Sequence, residues 1–141
     1  MIKIYTDGSC LENPGNGGWA AIIFMNNEKI IISGHKKNTT NNQMELMAAI
    51  EALKKIPKDQ EVQIYTDSKY VKMGITEWIE KWSQNNWKTS SKQKVKNIEL
   101  WKELNDISKK HKIEWHWVKA HAGNPNNEEV DKLAKKAANL N

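Results

Sequence analysis

The apolar periodicity of this 141-residue chain changes partway along, and that change limits its fold more than any other feature. Ile2, Ile4 and Thr6 alternate with Lys3, Tyr5 and Asp7, and two apolar runs, 19–25 and 29–34, follow, joined at Asn26-Asn27-Glu28. Period-two alternation marks strands, and a short polar join between two runs predicts a hairpin. A turn-rich stretch, Asn13-Pro14-Gly15-Asn16-Gly17-Gly18, separates the first strand, which these signals end at Asp7-Gly8-Ser9, from the hairpin. From Thr40, a residue type suited to an N-cap, the period becomes helical: Met44, Met47, Ala48, Ile50 and Leu53 share a side as far as Pro57. Strand 62–66, helical stretches over 68–74 and from Glu77, helix 96–111, strand 113–119 and helix 128–140 complete the pattern. Three strands followed by alternating helix and strand predict an α/β chain with one mixed sheet and helices packed on it. No internal repeat or flexible linker divides it, so a single domain over residues 1–141 is expected.

Charge narrows the class of partner. All 22 basic residues are lysine, against 17 acids, and five of the lysines (81, 88, 92, 94 and 96) lie between positions 81 and 96 with no acid among them. That segment alone carries a charge equal to the net +5. A concentrated basic patch is the footprint of a polyanion partner. Without arginine, phosphate must be held by ammonium groups, hydroxyls and amides rather than by bidentate forks. The longest apolar run is seven residues, 19–25, against the roughly 20 a membrane helix needs. No N-terminal stretch reads as an export signal, and the single cysteine, Cys10, fits a reducing compartment. A cytoplasmic protein that needs no membrane is expected.

Four carboxylates stand out. Asp7 and Asp67 both close the tetrad Ile-Tyr-Thr-Asp, at 4–7 and 64–67, at the ends of predicted strands. Open α/β sheets place their chemistry at strand ends, although Asp is also a common turn residue there. Glu45 lies in the early turns of a helix, with Ala48 and Ala49 leaving space above it. Asp131, like Glu128 and Glu129, falls early in the last helix, where a carboxylate is also stabilised by the helix dipole. Were all four to meet, their mutual repulsion would require cations. Mg²⁺ takes such carboxylates together with water and phosphate oxygens. Two ions about 4 Å apart would suit displacement at phosphorus.

Four strings carry a resemblance: IYTDGSCLENPGNGGWA, TTNNQMELMAAIEAL, YTDSKYVKMGITEWI and WVKAHAGNPNNEEVDKLA. In this order, over residues 4–138, they resemble type I ribonuclease H of the bacterial kind. The resemblance implies a ribonuclease H-like fold: a five-stranded mixed sheet, three antiparallel then two parallel strands, flanked by helices. It implies an endonuclease that hydrolyses the RNA strand of RNA–DNA hybrids, leaving 5′-phosphate and 3′-hydroxyl ends. By position, Asp7, Glu45, Asp67 and Asp131 would be the catalytic carboxylates holding two Mg²⁺ ions, with Mn²⁺ able to substitute. His121 would move a proton or help the product leave, a task suited to an imidazole because its unperturbed pKa lies near neutrality.

Cys10, Asn13, Asn41 and Asn42 match positions that line the minor groove, where short polar groups read 2′-hydroxyls. Thr40 and Asn97 match a pocket for a DNA phosphate. Trp78, Lys81, Trp82, Trp87 and Lys88 resemble a basic protrusion gripping the DNA strand, with Trp78 and Trp82 also partly core. Trp101, Trp115 and Trp117 read as ordinary core. Ser83-Gln84-Asn85-Asn86 replaces a basic cluster, Asn38 and Gln43 stand where relatives often carry arginine, and Lys69 stands where glutamine is common. These departures bear on substrate affinity rather than on chemistry. A separate hybrid-binding domain is not expected, nor an obligate protein partner; a monomer is. A non-catalytic nucleic-acid-binding module and a DNA-cutting or strand-transferring relative are the alternatives on the same fold.

Overall fold

The computed structural model describes every residue except Ser90, Lys92, Lys94 and His121. The order is β1 (Ile2–Cys10), β2 (Gly15–Met25), β3 (Glu28–Thr39), α1 (Asn41–Lys55), β4 (Glu61–Thr66) and α2 (Lys69–Met73). A wide π turn (Gly74–Trp78) leads into α3 (Ile79–Gln84), followed by α4 (Ile98–Ser108), β5 (Lys112–Trp117) and α5 (Pro125–Ala138). The five strands form one sheet in the order β3-β2-β1-β4-β5. β1–β2 and β2–β3 are antiparallel, whereas β1–β4 and β4–β5 are parallel. This is the mixed sheet expected from periodicity.

Both faces of the sheet are covered. Ile2, Ile4, Ala21 and Ile23 pack with Leu46, Ile50 and Leu53 of α1 and with Trp101 and Leu104 of α4. On the opposite face Tyr5, Ala20 and Ile22 meet Val130 and Ala134 of α5. Two glycines permit this closeness. A Cβ on Gly8 would collide with the backbone of Met44 and Glu45 in α1, and one on Gly18 with the backbone of Ala134 and Ala138 in α5. Each helix therefore sits directly on strand backbone, a use of glycine that strand patterns announce only weakly.

Several expected boundaries shift. β1 runs through Asp7 to Cys10, with Asp7 opposite Ala20, so Asp7 lies within a strand rather than at its end. The glycines that read as a turn at 15–18 belong to β2, and β3 extends to Thr39. α5 starts at Pro125, capped by the Asn124 side chain. Proline is preorganised for a first helical position, and the earlier start places Asp131 in the second turn, past the reach of an N-terminal charge effect.

Candidate active site

Register brings the first two carboxylates together. In the parallel pair Ile4 lies beside Ile64 and Tyr5 beside Tyr65, a constant offset of sixty residues, and continuing it sets Asp7 level with Asp67. Asp67 follows directly on β4, and its neighbours are fixed: the Ser68 amide donates to Thr66 Oγ1 at 3.0 Å, and Ser68 Oγ accepts from the Val71 amide at 3.1 Å to cap α2. α1 brings the third. Its N-cap Thr40 accepts from the Gln43 amide, and one turn further Glu45 reaches β1, where the Gly8 amide donates to its Oε1.

Asp7, Glu45 and Asp67 each offer a carboxylate oxygen within 4.8 Å of those of the other two. Asp7 and Glu45 are 4% and 7% exposed, so little water screens them. Asp131 on α5 reaches Asp7 by a side-chain hydrogen bond and is also paired with Lys135 at 3.1 Å. The structure thus collects all four predicted carboxylates, three tightly and Asp131 at the edge.

Burial pushes the Asp7 carboxyl far above the usual carboxylate range, reinforced by the Glu45 charge and hydrogen bond, then by Asp67 and Asp131. Burial also raises Glu45, and Asp67 adds to it, while hydrogen bonds from Asp7, Gly8 and Ser68 oppose the rise. The physical content is a proton held by the pair well above the ordinary carboxylate range, shared between Asp7 and Glu45. A divalent cation relieves the same repulsion without a proton. The donors are hard oxygens only, with no thiol or imidazole in the cluster among the described residues, and this set fits a hard divalent cation.

Around this cluster the expected substrate residues separate into groups. The Asn13 side chain accepts from the Asn41 amide at 3.2 Å, tying the β1–β2 loop to the start of α1, with Asn42 exposed alongside. The Cys10 thiol is half-buried and donates to the Thr39 carbonyl at 3.4 Å, and burial raises its pKa. Thr40 and Asn97 are bridged by Gln43, whose amide nitrogen in the side chain donates to Asn97 Oδ1 at 3.1 Å. Asn97 donates in turn to the Tyr70 hydroxyl at 3.1 Å, which also accepts from the Trp101 indole at 2.9 Å. Sequence reasoning marked Gln43 only as a departure from an arginine and passed over Tyr70, because no spacing rule marks a polar residue on an amphipathic helix as a bridge.

Farther out, Trp78, Lys81, Trp82 and Lys88 line a groove of about 550 Å³ together with Asn85 and Lys96. Trp78, Trp82 and Trp87 are all packed against the main core, so Trp87 shares the structural burden expected only of the other two. Lys92, Lys94 and His121 lie outside the described residues. Trp117 corrects an expectation: read as core, it is 38% exposed, because it ends β5 where the sheet meets the carboxylates.

Known proteins with this fold give its class. The crystal structure of LC9-RNase H1, a type 1 RNase H with the type 2 active-site motif, superposes with a TM-score of 0.86 at 31% identity, over 99% of this chain and 72% of that one. The foamy viral protease-reverse transcriptase in complex with RNA/DNA hybrid shares the fold, with a TM-score of 0.84 at 23% identity over 99% of this chain and 20% of that one. The class is that of catalytic nucleases. The RNase H family model matches residues 1–139. Ribonuclease H of Wolbachia sp. subsp. Drosophila simulans is 57% identical over 136 residues, 96% of this chain and 94% of that protein. Ribonuclease H of Bartonella quintana is 55% identical over 137 residues, 97% of this chain and 88% of that protein. The chain belongs to the ribonuclease H family.

Proposed function

We propose that this nuclease hydrolyses the RNA strand of RNA–DNA hybrids with Mg²⁺ held by Asp7, Glu45, Asp67 and Asp131, Mn²⁺ being able to substitute. The observation that carries the reading is the triad of carboxylate oxygens within 4.8 Å, two of its members buried, which is untenable fully ionised unless cations neutralise it. When bound, a pair of such ions supplies an activated water and a stabilised leaving oxygen for in-line displacement, giving 5′-phosphate and 3′-hydroxyl ends.

The chain's own residues do the remaining work. Gly8 and Ser68 orient Glu45 by hydrogen bonds, so its oxygens face Asp7 rather than solvent. His121 moves a proton at the leaving oxygen, a task suited to an imidazole, whose unperturbed pKa is near neutral. Asn13, Asn41, Asn42 and Cys10 meet the 2′-hydroxyl side of the minor groove. Thr40 and Asn97, held in line by Gln43, take a phosphate of the DNA strand. Trp78, Lys81, Trp82, Trp87 and Lys88 hold the DNA strand beyond it, in the groove that the lysines border. We assign the activity to a single domain over residues 1–141, working as a cytoplasmic monomer.

The test offers labelled RNA–DNA, RNA–RNA, DNA–DNA and single strands, with and without Mg²⁺. Cleavage confined to the RNA of the hybrid, and only with the metal, is expected. Binding without cleavage would establish the non-catalytic alternative, and cleavage of DNA the strand-transferring one.

A further inference from the structure

Trp117 is the last residue of β5 and pairs in register with Thr66, the residue before Asp67. The ladder ends one step later, where the Val118 amide donates to the Thr66 carbonyl at 2.9 Å. Asp67 follows directly on β4, and its carbonyl accepts from a side chain, the Trp117 indole N–H, at 3.1 Å. A side chain thus ties the end of β5 to the residue whose carboxylate joins the cluster.

The ring itself is held from α2. The Lys69 and Lys72 ammonium groups lie 5.7 and 5.5 Å from its centroid, within the range of cation–π attraction. Both lysines leave the same helix that Ser68 caps, so the indole is clamped between the end of β5 and the start of α2. Exposed as it is, the ring contributes little to the core, and these contacts fix its orientation.

We propose that Trp117 is a positioning residue for metal binding: its indole N–H holds the Asp67 main chain, and so sets where the Asp67 carboxylate stands relative to Asp7 and Glu45. The inference rests on the reading of these carboxylates as metal ligands. Partners that orient a ligand without touching the metal typically carry about 10- to 100-fold in metal affinity or activity.

The experiment measures Mn²⁺ and Mg²⁺ binding to the hybrid-free protein by calorimetry. Trp117→Phe keeps an aromatic face for the lysines and removes only the donor. It should weaken metal binding by about tenfold, lower kcat at subsaturating metal, and leave KM for the hybrid unchanged. In an Asp67→Asn background the same substitution should change Mn²⁺ affinity by less than about twofold, since groups acting through one another are not additive. A Phe variant that binds metal as well as the wild type overturns the proposal, as does a full loss that persists without Asp67. A wild type that binds no divalent cation breaks the carboxylate reading instead. Should the Phe variant not fold, the indole proton of Trp117 in the wild type decides. Slow solvent exchange despite the exposed ring, with a shift on Mg²⁺ titration, supports the proposal; free exchange and no shift overturn it.

Discussion

The carboxylate cluster and the basic segment are built on opposite principles. Asp7 stands on a central strand, Asp67 directly after its parallel neighbour and Glu45 on the helix packed on them, Asp7 and Glu45 buried and backbone register fixing the heights of the two aspartates. The segment from Gly74 to Asn97 contains a π turn, a six-residue helix and turns, with Asn86, Trp87 and Asn97 all at positive φ and with Lys81, Lys88 and Lys96 exposed. Chemistry at phosphorus needs charges held to a fraction of an ångström in a dry place. Gripping a strand needs only positive charge near phosphates, because counterion release is indifferent to detailed geometry. Substitutions in the first region should therefore act on turnover, and those in the second on affinity.

The largest effect is expected from Asp7→Asn, which keeps the shape and loses the charge that a hard cation requires. Hybrid binding should persist while turnover falls below about a tenth of wild type in Mg²⁺; a more active variant would break the contrast. His121→Ala should cost about 10²-fold, in the usual range of acid–base contributions, and leave metal affinity unchanged by calorimetry. If it proved as inactive as the Asp7 variant, His121 would have to belong to the metal set.

Lys81→Ala with Lys88→Ala tests the other region. It should raise KM several-fold at constant kcat, because the contacts serve substrate and transition state alike. Each lost phosphate contact should also reduce the log–log salt slope by roughly 0.7–0.9. Steady-state cleavage of one hybrid across a salt series checks both, and an unchanged slope would reduce the segment to a solvated loop.

The subtlest expected effect is on stability. With Asp7 and Glu45 raised by burial, the folded chain binds more protons than the unfolded one above the ordinary carboxylate range. Metal-free stability should then be greatest below that range and fall as pH rises through the elevated pKa values. Chelator-treated protein melted between pH 4 and 8 should show this decline, Mg²⁺ should reverse it, and Asp7→Asn should flatten it. A metal-free melting temperature rising with pH would contradict the shared proton.

Most of the fold was legible because each element buries one face, and burial imposes a period. What was misplaced lies where a local signal competes with packing. Asp7-Gly8-Ser9 has the composition of a turn, yet Gly8 is there so that α1 can rest on the strand. Asn124-Pro125 looks like a loop but caps and opens α5, which places Asp131 in its second turn rather than its first. The four acids could be singled out one by one, whereas their convergence depends on contacts between residues dozens of positions apart. The polar bridges by Gln43 and Tyr70 and the indole of Trp117 left no periodic trace.

The repeated tetrad has a consequence for how the site tolerates change. Tyr5 stacks on Tyr65 with centroids 4.6 Å apart, and Tyr65 on His116 at 4.8 Å, so an aromatic row runs across β1, β4 and β5 just upstream of the acids. Sliding one strand by a single residue would unstack the row and turn every side chain to the wrong face. The relative height of Asp7 and Asp67 is thus kept by counting along adjacent strands, like graduations on two rules pinned together. Loops can lengthen or shorten between them, at 26–27 or 57–60, without disturbing the spacing. One residue deleted within either strand before its aspartate would put the two acids out of step.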